Sequence, residues 1–294
     1  MPKAKANNIE IEYDTFGDPS ARPLLLVMGL GSQMISWDER LCKMFVDKGF
    51  YVIRFDNRDA GLSTKFEEAG DPDLLKEVMA YQKGEKISPP YTVEDMANDA
   101  VGLLDALNIE KAHICGASLG GFIVQVIALN HPTRVLSLVS MMSSTKNNLS
   151  PDAKPEAMQV LMKPSPIERE AYIKQSVENW RIVYGSLPYP EDLYRERSAA
   201  AYDRAFYPQG MKRQMLAVLA AEDRCSKLGS IKVPTLVIHG ADDPLVPNKL
   251  GKETAECIPG SELLIIEGMG HSLPEPIWSQ LVEAIAKNAD KANN

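Results

Sequence analysis

The stretch that most constrains this chain is Gly116-Ala117-Ser118-Leu119-Gly120-Gly121. The apolar run Ala112-His113-Ile114-Cys115 before it reads as a buried strand, and Phe122 to Leu129 after it reads as a buried helix. A strand, Gly-x-Ser-x-Gly and a helix in succession is the context of a nucleophile elbow, in which a serine is held out on a sharp turn. The chain must reverse within very few residues, so Ser118 is expected in a strained backbone conformation. Gly116 and Gly120 leave room where a Cβ would crowd the turn. Ser118 would then stand at a helix N-terminus, whose free N–H groups and dipole favour negative charge. The pentapeptide alone equally fits a glycine-rich turn with a helix-capping serine, so the rest of the chain has to decide.

Ile9 to Phe16 alternates apolar and polar residues and predicts a half-exposed antiparallel edge strand. Leu24-Leu25-Leu26-Val27-Met28 is continuously apolar, as a strand covered on both faces is. It runs into Gly29-Leu30-Gly31-Ser32 and then a helical pattern from Gln33 to Lys48. Phe50 to Phe55 is a strand, residues 56–63 a polar loop, and Tyr91 to Leu107 a helix with Thr92 and Asp95 placed to cap it. Leu136 to Met142 predicts another buried strand. From Ser143 to about Ser230 no strand is legible. Helical stretches separated by Pro164, Pro166, Pro188, Pro190 and Pro208 fill this region, rich in methionine and aromatic residues. Alternation resumes with a strand over 233–239, a helix over 248–257, a strand over 262–266 and a helix over 276–289. The expected fold is therefore α/β, a mostly parallel central sheet wrapped by helices. Its core is assigned to residues 1–142 and 231–294, with an inserted helical cap at 143–230. Ligands bind such sheets at the carboxyl ends of the strands, and both the Gly29-Leu30-Gly31 loop and Ser118 fall there.

Length and charge narrow the functional classes. The chain has 294 residues, 45% of them hydrophobic, with a net charge of −8 and no lysine- and arginine-rich run. Nucleic acid and an anionic membrane surface are unexpected partners. No window is apolar for long enough to span a bilayer, and residues 1–8 contain no apolar core of a signal peptide. The four cysteines, Cys42, Cys115, Cys225 and Cys257, lack metal-ligand spacing. With Cys115 and Cys257 read as core thiols, they predict a reducing, cytoplasmic location and no disulfide framework.

A serine hydroxyl needs a general base within hydrogen-bond reach, and a histidine base needs its other nitrogen held by a carboxylate. Of the four histidines, His113 and His239 lie in strands and His131 precedes Pro132 at a helix end. Only His271, in Gly268-Met269-Gly270-His271, follows a strand-end carboxylate that itself follows Ser118, the order this architecture uses. Asp242 and Asp243 are adjacent after the strand over 233–239. Asp243 is favoured as the acid, with Asp242 shaping the turn, and carboxylates after the middle strands stay open. The oxyanion needs two backbone N–H donors, which nominates the amides of Leu119 and Leu30. Gly29, Trp37, Met142 and Trp180 are the candidate pocket residues.

These segments together resemble the capped esterase and lipase-like group of the α/β-hydrolase fold. The resemblance rests on Met28-Gly29-Leu30-Gly31, the loop Asp56-Asn57-Arg58-Asp59-Ala60-Gly61-Leu62-Ser63, the elbow, Gly240-Ala241-Asp242-Asp243-Pro244-Leu245-Val246-Pro247 and Gly268-Met269-Gly270-His271. Within the group they are similar to the aclacinomycin methylesterases. The family implies Ser118, Asp243 and His271 as triad and the Leu30 and Leu119 amides as oxyanion hole, with no metal or cofactor. Met28 stands where many relatives have histidine. The implied reaction is hydrolysis of small to medium carboxylic esters carrying an apolar group. Acyl transfer or perhydrolysis on the same triad, and a slow-turnover ligand receptor, are the alternatives. A homodimer is left open.

Overall fold

The structure, a computed structural model, describes residues 2–146 and 152–293. The part of the expected cap at 147–151 lies outside the described residues. Eight strands form one sheet: β1 (Lys3–Ala6), β2 (Ile9–Phe16), β3 (Arg22–Val27), β4 (Phe50–Phe55), β5 (Ala112–Ala117), β6 (Val135–Met141), β7 (Thr235–Gly240) and β8 (Glu262–Ile266). Their order is β1-β2-β4-β3-β5-β6-β7-β8. β2 pairs antiparallel with β1 and with β4, and all later pairings are parallel. β2 is thus not the edge predicted from its alternation. The short β1 covers it, because Lys3 to Ala6 pairs back across the turn at Asn7 and Asn8, both at positive φ.

The continuous apolar strands are explained by cover on both faces. Along β3, Leu25 and Val27 enter a core with helix α3 (Val93–Ala106) and helix α4 (Leu119–Asn130). Leu24 and Leu26 enter the opposite core with α1 (Glu39–Asp47) and the terminal helix α11 (Trp278–Asp290). All four of these side chains are fully buried. At ~25 cal/mol per Å² of apolar surface, a fully buried leucine or valine contributes roughly 1.5–3 kcal/mol. α3 opens with a reciprocal capping box: the Thr92 hydroxyl accepts from the Asp95 N–H and the Asp95 carboxylate from the Thr92 N–H. The helix expected over 33–48 is shorter than its pattern. It begins at Glu39, where the Asp38 carboxylate accepts the Arg40 N–H.

Between β6 and β7 the chain forms α5 (Pro155–Met162), α6 (Arg169–Val183), α7 (Glu191–Ala205), α8 (Pro208–Ala220) and α9 (Cys225–Leu228). An earlier excursion that the pattern did not predict, α2 (Leu74–Gln82), joins them. Its Leu74 and Val78 pack on Met215, Leu216 and Leu219 of α8. α10 (Asn248–Cys257) follows β7.

The cysteines overturn the sequence expectation. Cys225 at the start of α9 and Cys257 at the end of α10 are disulfide-bonded, with Cα atoms 5.1 Å apart. Spacing could not reveal this, because the two residues meet only through the packing of α9 beside α10. Cys42 and Cys115 are free and buried. Among the described residues, no helix is long and apolar enough to cross a membrane.

Candidate active site

Ser118 joins β5 to α4 with φ 56° and ψ −118°, a region that costs a non-glycine residue roughly 1–3 kcal/mol. The turn is held because the Ser118 N–H donates to the Met141 carbonyl at 2.9 Å and its carbonyl accepts from the Gly121 N–H at 2.8 Å. The Ser143 hydroxyl also donates to that carbonyl, at 2.8 Å. The elbow glycines are sterically required. A Cβ on Gly116 would lie 2.0 Å from the Gly120 oxygen, and one on Gly120 would lie 2.1 Å from the Val27 oxygen. Backbone atoms at that range cannot yield without moving β3 or the turn.

His271 reaches Ser118 from the loop after β8. Its Nε2 is 2.9 Å from Ser118 Oγ and its Nδ1 is 2.8 Å from Asp243 Oδ2. A carboxylate only accepts, so Nδ1 carries the proton and Nε2 faces the serine hydroxyl with its lone pair. The loop is set by the end of α6: the Gly270 N–H donates to the Tyr184 carbonyl at 2.9 Å and the His271 N–H to the Val183 carbonyl at 2.6 Å. Gly270 is needed there, since a Cβ would come within 2.3 Å of the Val183 oxygen.

Asp243 follows β7 and is held rigidly. Its Oδ1 accepts the amides of Leu245 at 2.9 Å and Val246 at 2.8 Å. Its Oδ2 faces His271 and lies 3.5 Å from His239 Nε2. Burial alone would push this carboxyl up; the His271 and His239 rings facing it pull harder and hold it down at about 2. Of the two adjacent acids, Asp242 points away and accepts from the Ser186 hydroxyl.

A cavity of about 780 Å³ opens over Ser118 and His271, between the strand ends and the helices α5–α8. Leu30 and Leu119 line it, as do Gly29, Met142 and Trp180. Gly29 sits hard against the serine, where a Cβ would be 3.0 Å from Ser118 Cβ. Among the described residues, neither the Leu30 nor the Leu119 amide is paired with a protein acceptor. Trp37 is not a pocket residue. The turn into α1 sends its side chain into the opposite core, fully buried, while its neighbours Ile35, Ser36 and Asp38 face the cavity.

Several residues that shape the site were not legible in the sequence. Asn57 donates to the Met28 carbonyl at 2.9 Å, and Asp56 accepts the Met34 N–H at 2.7 Å, so the 56–63 loop braces the Gly29-Leu30-Gly31 turn. Asp56 is also paired with Arg204 of α7 at 2.8 Å. Arg213 of α8 forms a buried two-pronged pair with Asp59 at 2.8 and 2.9 Å. Tyr194 and Arg197 of α7 line the cavity. In the sequence the 56–63 loop stood out only as part of the resemblance, without a role for Asp56, Asn57 or Asp59, and Tyr194 only as one of many aromatic residues between Ser143 and Ser230.

Residues 22–275 match the family model described as alpha/beta hydrolase fold. The chain belongs to the α/β-hydrolase-fold family. It is 28% identical to rhodomycin D methylesterase of Streptomyces peucetius over 99% of both chains. It is 29% identical to rhodomycin D methylesterase of Streptomyces sp. strain C5 over 97% of both. A meta-cleavage product hydrolase from Pseudomonas fluorescens IP01 has the same fold, with a TM-score of 0.76, 20% identity, and coverage of 99% of this chain and 98% of that one.

Proposed function

We propose that this α/β-hydrolase is a serine carboxylic-ester hydrolase with Ser118 as nucleophile, His271 as general base and acid, and Asp243 as its orienting carboxylate. The single observation that carries the reading is the unbroken run of contacts Ser118 Oγ–His271 Nε2 at 2.9 Å and His271 Nδ1–Asp243 Oδ2 at 2.8 Å, at the floor of the cavity. The two methylesterase relatives support an ester rather than an amide as substrate. The cavity volume suits a medium-sized ester with an apolar group, within the roughly 300–1,000 Å³ of small-molecule sites.

Ser118 attacks the ester carbonyl as His271 Nε2 takes its proton. The amides of Leu30 and Leu119 hold the tetrahedral oxyanion. His271 returns the proton to the leaving alcohol, the acyl-serine forms, and water activated by His271 releases the acid. Asp243 keeps the proton of the resting imidazole on Nδ1 and stabilises the imidazolium. Helices α5–α9 act as a cap that shapes the substrate chamber.

The test is hydrolysis of a p-nitrophenyl ester series, from acetate to long acyl chains, by wild type and Ser118→Ala. A pre-steady-state burst and turnover in wild type, both lost in Ser118→Ala, are expected. Equal activity in the two proteins overturns the nucleophile assignment. A stoichiometric burst without turnover replaces hydrolysis by acyl transfer to another acceptor.

A further inference from the structure

The Gly29-Leu30-Gly31 turn carries one of the two candidate oxyanion donors between two glycines, which is the least self-rigid backbone available. The two peptide units that flank the Leu30 N–H are anchored from outside, and its own unit is closed within the turn by Ser32. The Met28 carbonyl accepts from Asn57, and the Gly29 carbonyl accepts the Ser32 N–H at 3.3 Å. The Gly31 N–H donates to Gln214 Oε1 at 2.7 Å. Gln214 lies on α8, in the region outside the sheet core, and is fully buried. Its own amide donates to the Arg58 carbonyl at 2.7 Å, so one side chain ties the turn to the 56–63 loop. Met211, one helical turn earlier, packs where a side chain at Gly31 would sit, 2.8 Å from its ideal Cβ. Gln33 extends the tie, donating to the Ala201 carbonyl at 2.6 Å and the Ala205 carbonyl at 3.0 Å on α7.

We infer that Gln214 is a positioning residue for the oxyanion hole: its carboxamide, spanning the Gly31 N–H and the Arg58 carbonyl, fixes where the Leu30 N–H points. The inserted helices therefore set the catalytic electrostatics as well as the pocket. The inference rests on the proposed acyl-enzyme mechanism. Gln214 touches no reacting atom, and its effect passes through the aim of the Leu30 amide, which matters when the carbonyl oxygen becomes an oxyanion and little before.

The test compares wild type, Gln214→Met and Gln214→Glu, with active sites counted by burst titration and folding checked by thermal melting. Each is assayed on the preferred p-nitrophenyl ester. Each is also assayed for inhibition by the trifluoromethyl ketone of the same skeleton, which forms an oxyanion on a serine, and by the plain methyl ketone, which serves as ground-state ligand. Gln214→Met is expected to lose roughly 10–100-fold in kcat, below the ~10²–10³ of an outright missing donor. Its KM and methyl-ketone affinity should stay within about threefold. Its trifluoromethyl-ketone affinity should fall in step with kcat. Gln214→Glu, which keeps an acceptor against Gly31, should recover part of the loss. A folded Gln214→Met with wild-type kcat overturns the inference, as does one that loses kcat without losing trifluoromethyl-ketone affinity. Should Gln214→Met not fold, Gln214→Asn, whose shorter amide cannot span both partners, is judged by the same criteria. Failure of the underlying mechanism is distinct: wild type itself would show neither a burst nor a trifluoromethyl-ketone preference.

Discussion

Replacing Asp243 by asparagine isolates the orientation of the histidine from its environment. The two oxygens of Asp243 are not equivalent. Oδ1 accepts two backbone amides, Leu245 at 2.9 Å and Val246 at 2.8 Å, whereas Oδ2 faces His271 Nδ1 at 2.8 Å. An asparagine must keep its carbonyl oxygen on the two amides, because turning its NH2 toward them would oppose two donors and cost roughly 1–3 kcal/mol for each unmade bond. Its NH2 is therefore delivered to the Oδ2 position, where it donates to His271 Nδ1. The imidazole proton moves to Nε2, which then faces Ser118 as a donor and can no longer take the hydroxyl proton. The expected loss in the acylation rate is about 10³–10⁴-fold at neutral pH, or about 4–5.5 kcal/mol in its barrier. The assay is the single-turnover acylation rate on a p-nitrophenyl ester, with the melting temperature showing that the fold is kept. Asp242→Asn, whose side chain bonds Ser186 instead, should stay within about twofold. An Asp243→Asn enzyme within tenfold of wild type would refute the argument, because it would mean that the histidine is oriented by something other than this carboxylate.

Two further outcomes follow from buried groups elsewhere. Burial, with Arg22 nearby, holds the His113 imidazole down at about 4, and its Nδ1 bonds Ser137 Oγ at 2.8 Å. The unfolded chain binds that proton from pH ~6.5 downward and the native state does not, so this contribution to stability is fully present above pH 6.5 and lost as the pH falls toward 4, by about 2 kcal/mol at pH 5. Urea unfolding at pH 8 and pH 5 should reveal that loss in wild type and not in His113→Phe. The Cys225–Cys257 disulfide closes a loop with a sequence separation of 32, for which chain entropy gives a stabilisation of about 3–4 kcal/mol. A reductant should lower the melting temperature of wild type by several degrees and leave a Cys225→Ser/Cys257→Ser double variant unmoved.

How far the sequence could be read depended on whether an effect is local. The elbow was legible because an apolar strand, Gly-x-Ser-x-Gly and an apolar helix follow one another from Ala112 to Leu129, and the Gly116 clash is local, whereas Gly120 is needed against the distant Val27 carbonyl. The core strands were legible because burial on both faces leaves a continuous apolar run, as in Leu24 to Val27. Ser118, Asp243 and His271 were reachable as candidates because chain order along a parallel sheet puts each at a strand carboxyl end. The covering strand β1 and the helix α2 were not legible, the first because four residues are too short for a period and the second because a nine-residue helix is marginal by itself and rests on tertiary packing, with α8 among its partners.

The segments that defeated the sequence reading are those whose partners are distant. Trp37 looks like a pocket aromatic until the cap at Asp38 turns its side chain into the opposite core. Cys225 and Cys257 look like unrelated thiols until α9 packs beside α10. Gln214 looks like one polar residue in an amphipathic helix until its carboxamide is seen between Gly31 and Arg58. By itself the sequence determined the parallel sheet, the strained serine turn and the small set of residues able to act with it, because apolar periodicity and the Gly-x-Ser-x-Gly spacing are written in neighbouring residues. Only the tertiary structure decided which aspartate faces the histidine, what lines the chamber and what braces the turn at Leu30. Those relations are hydrogen bonds a few ångströms long between residues up to about 180 positions apart, and no local pattern encodes them.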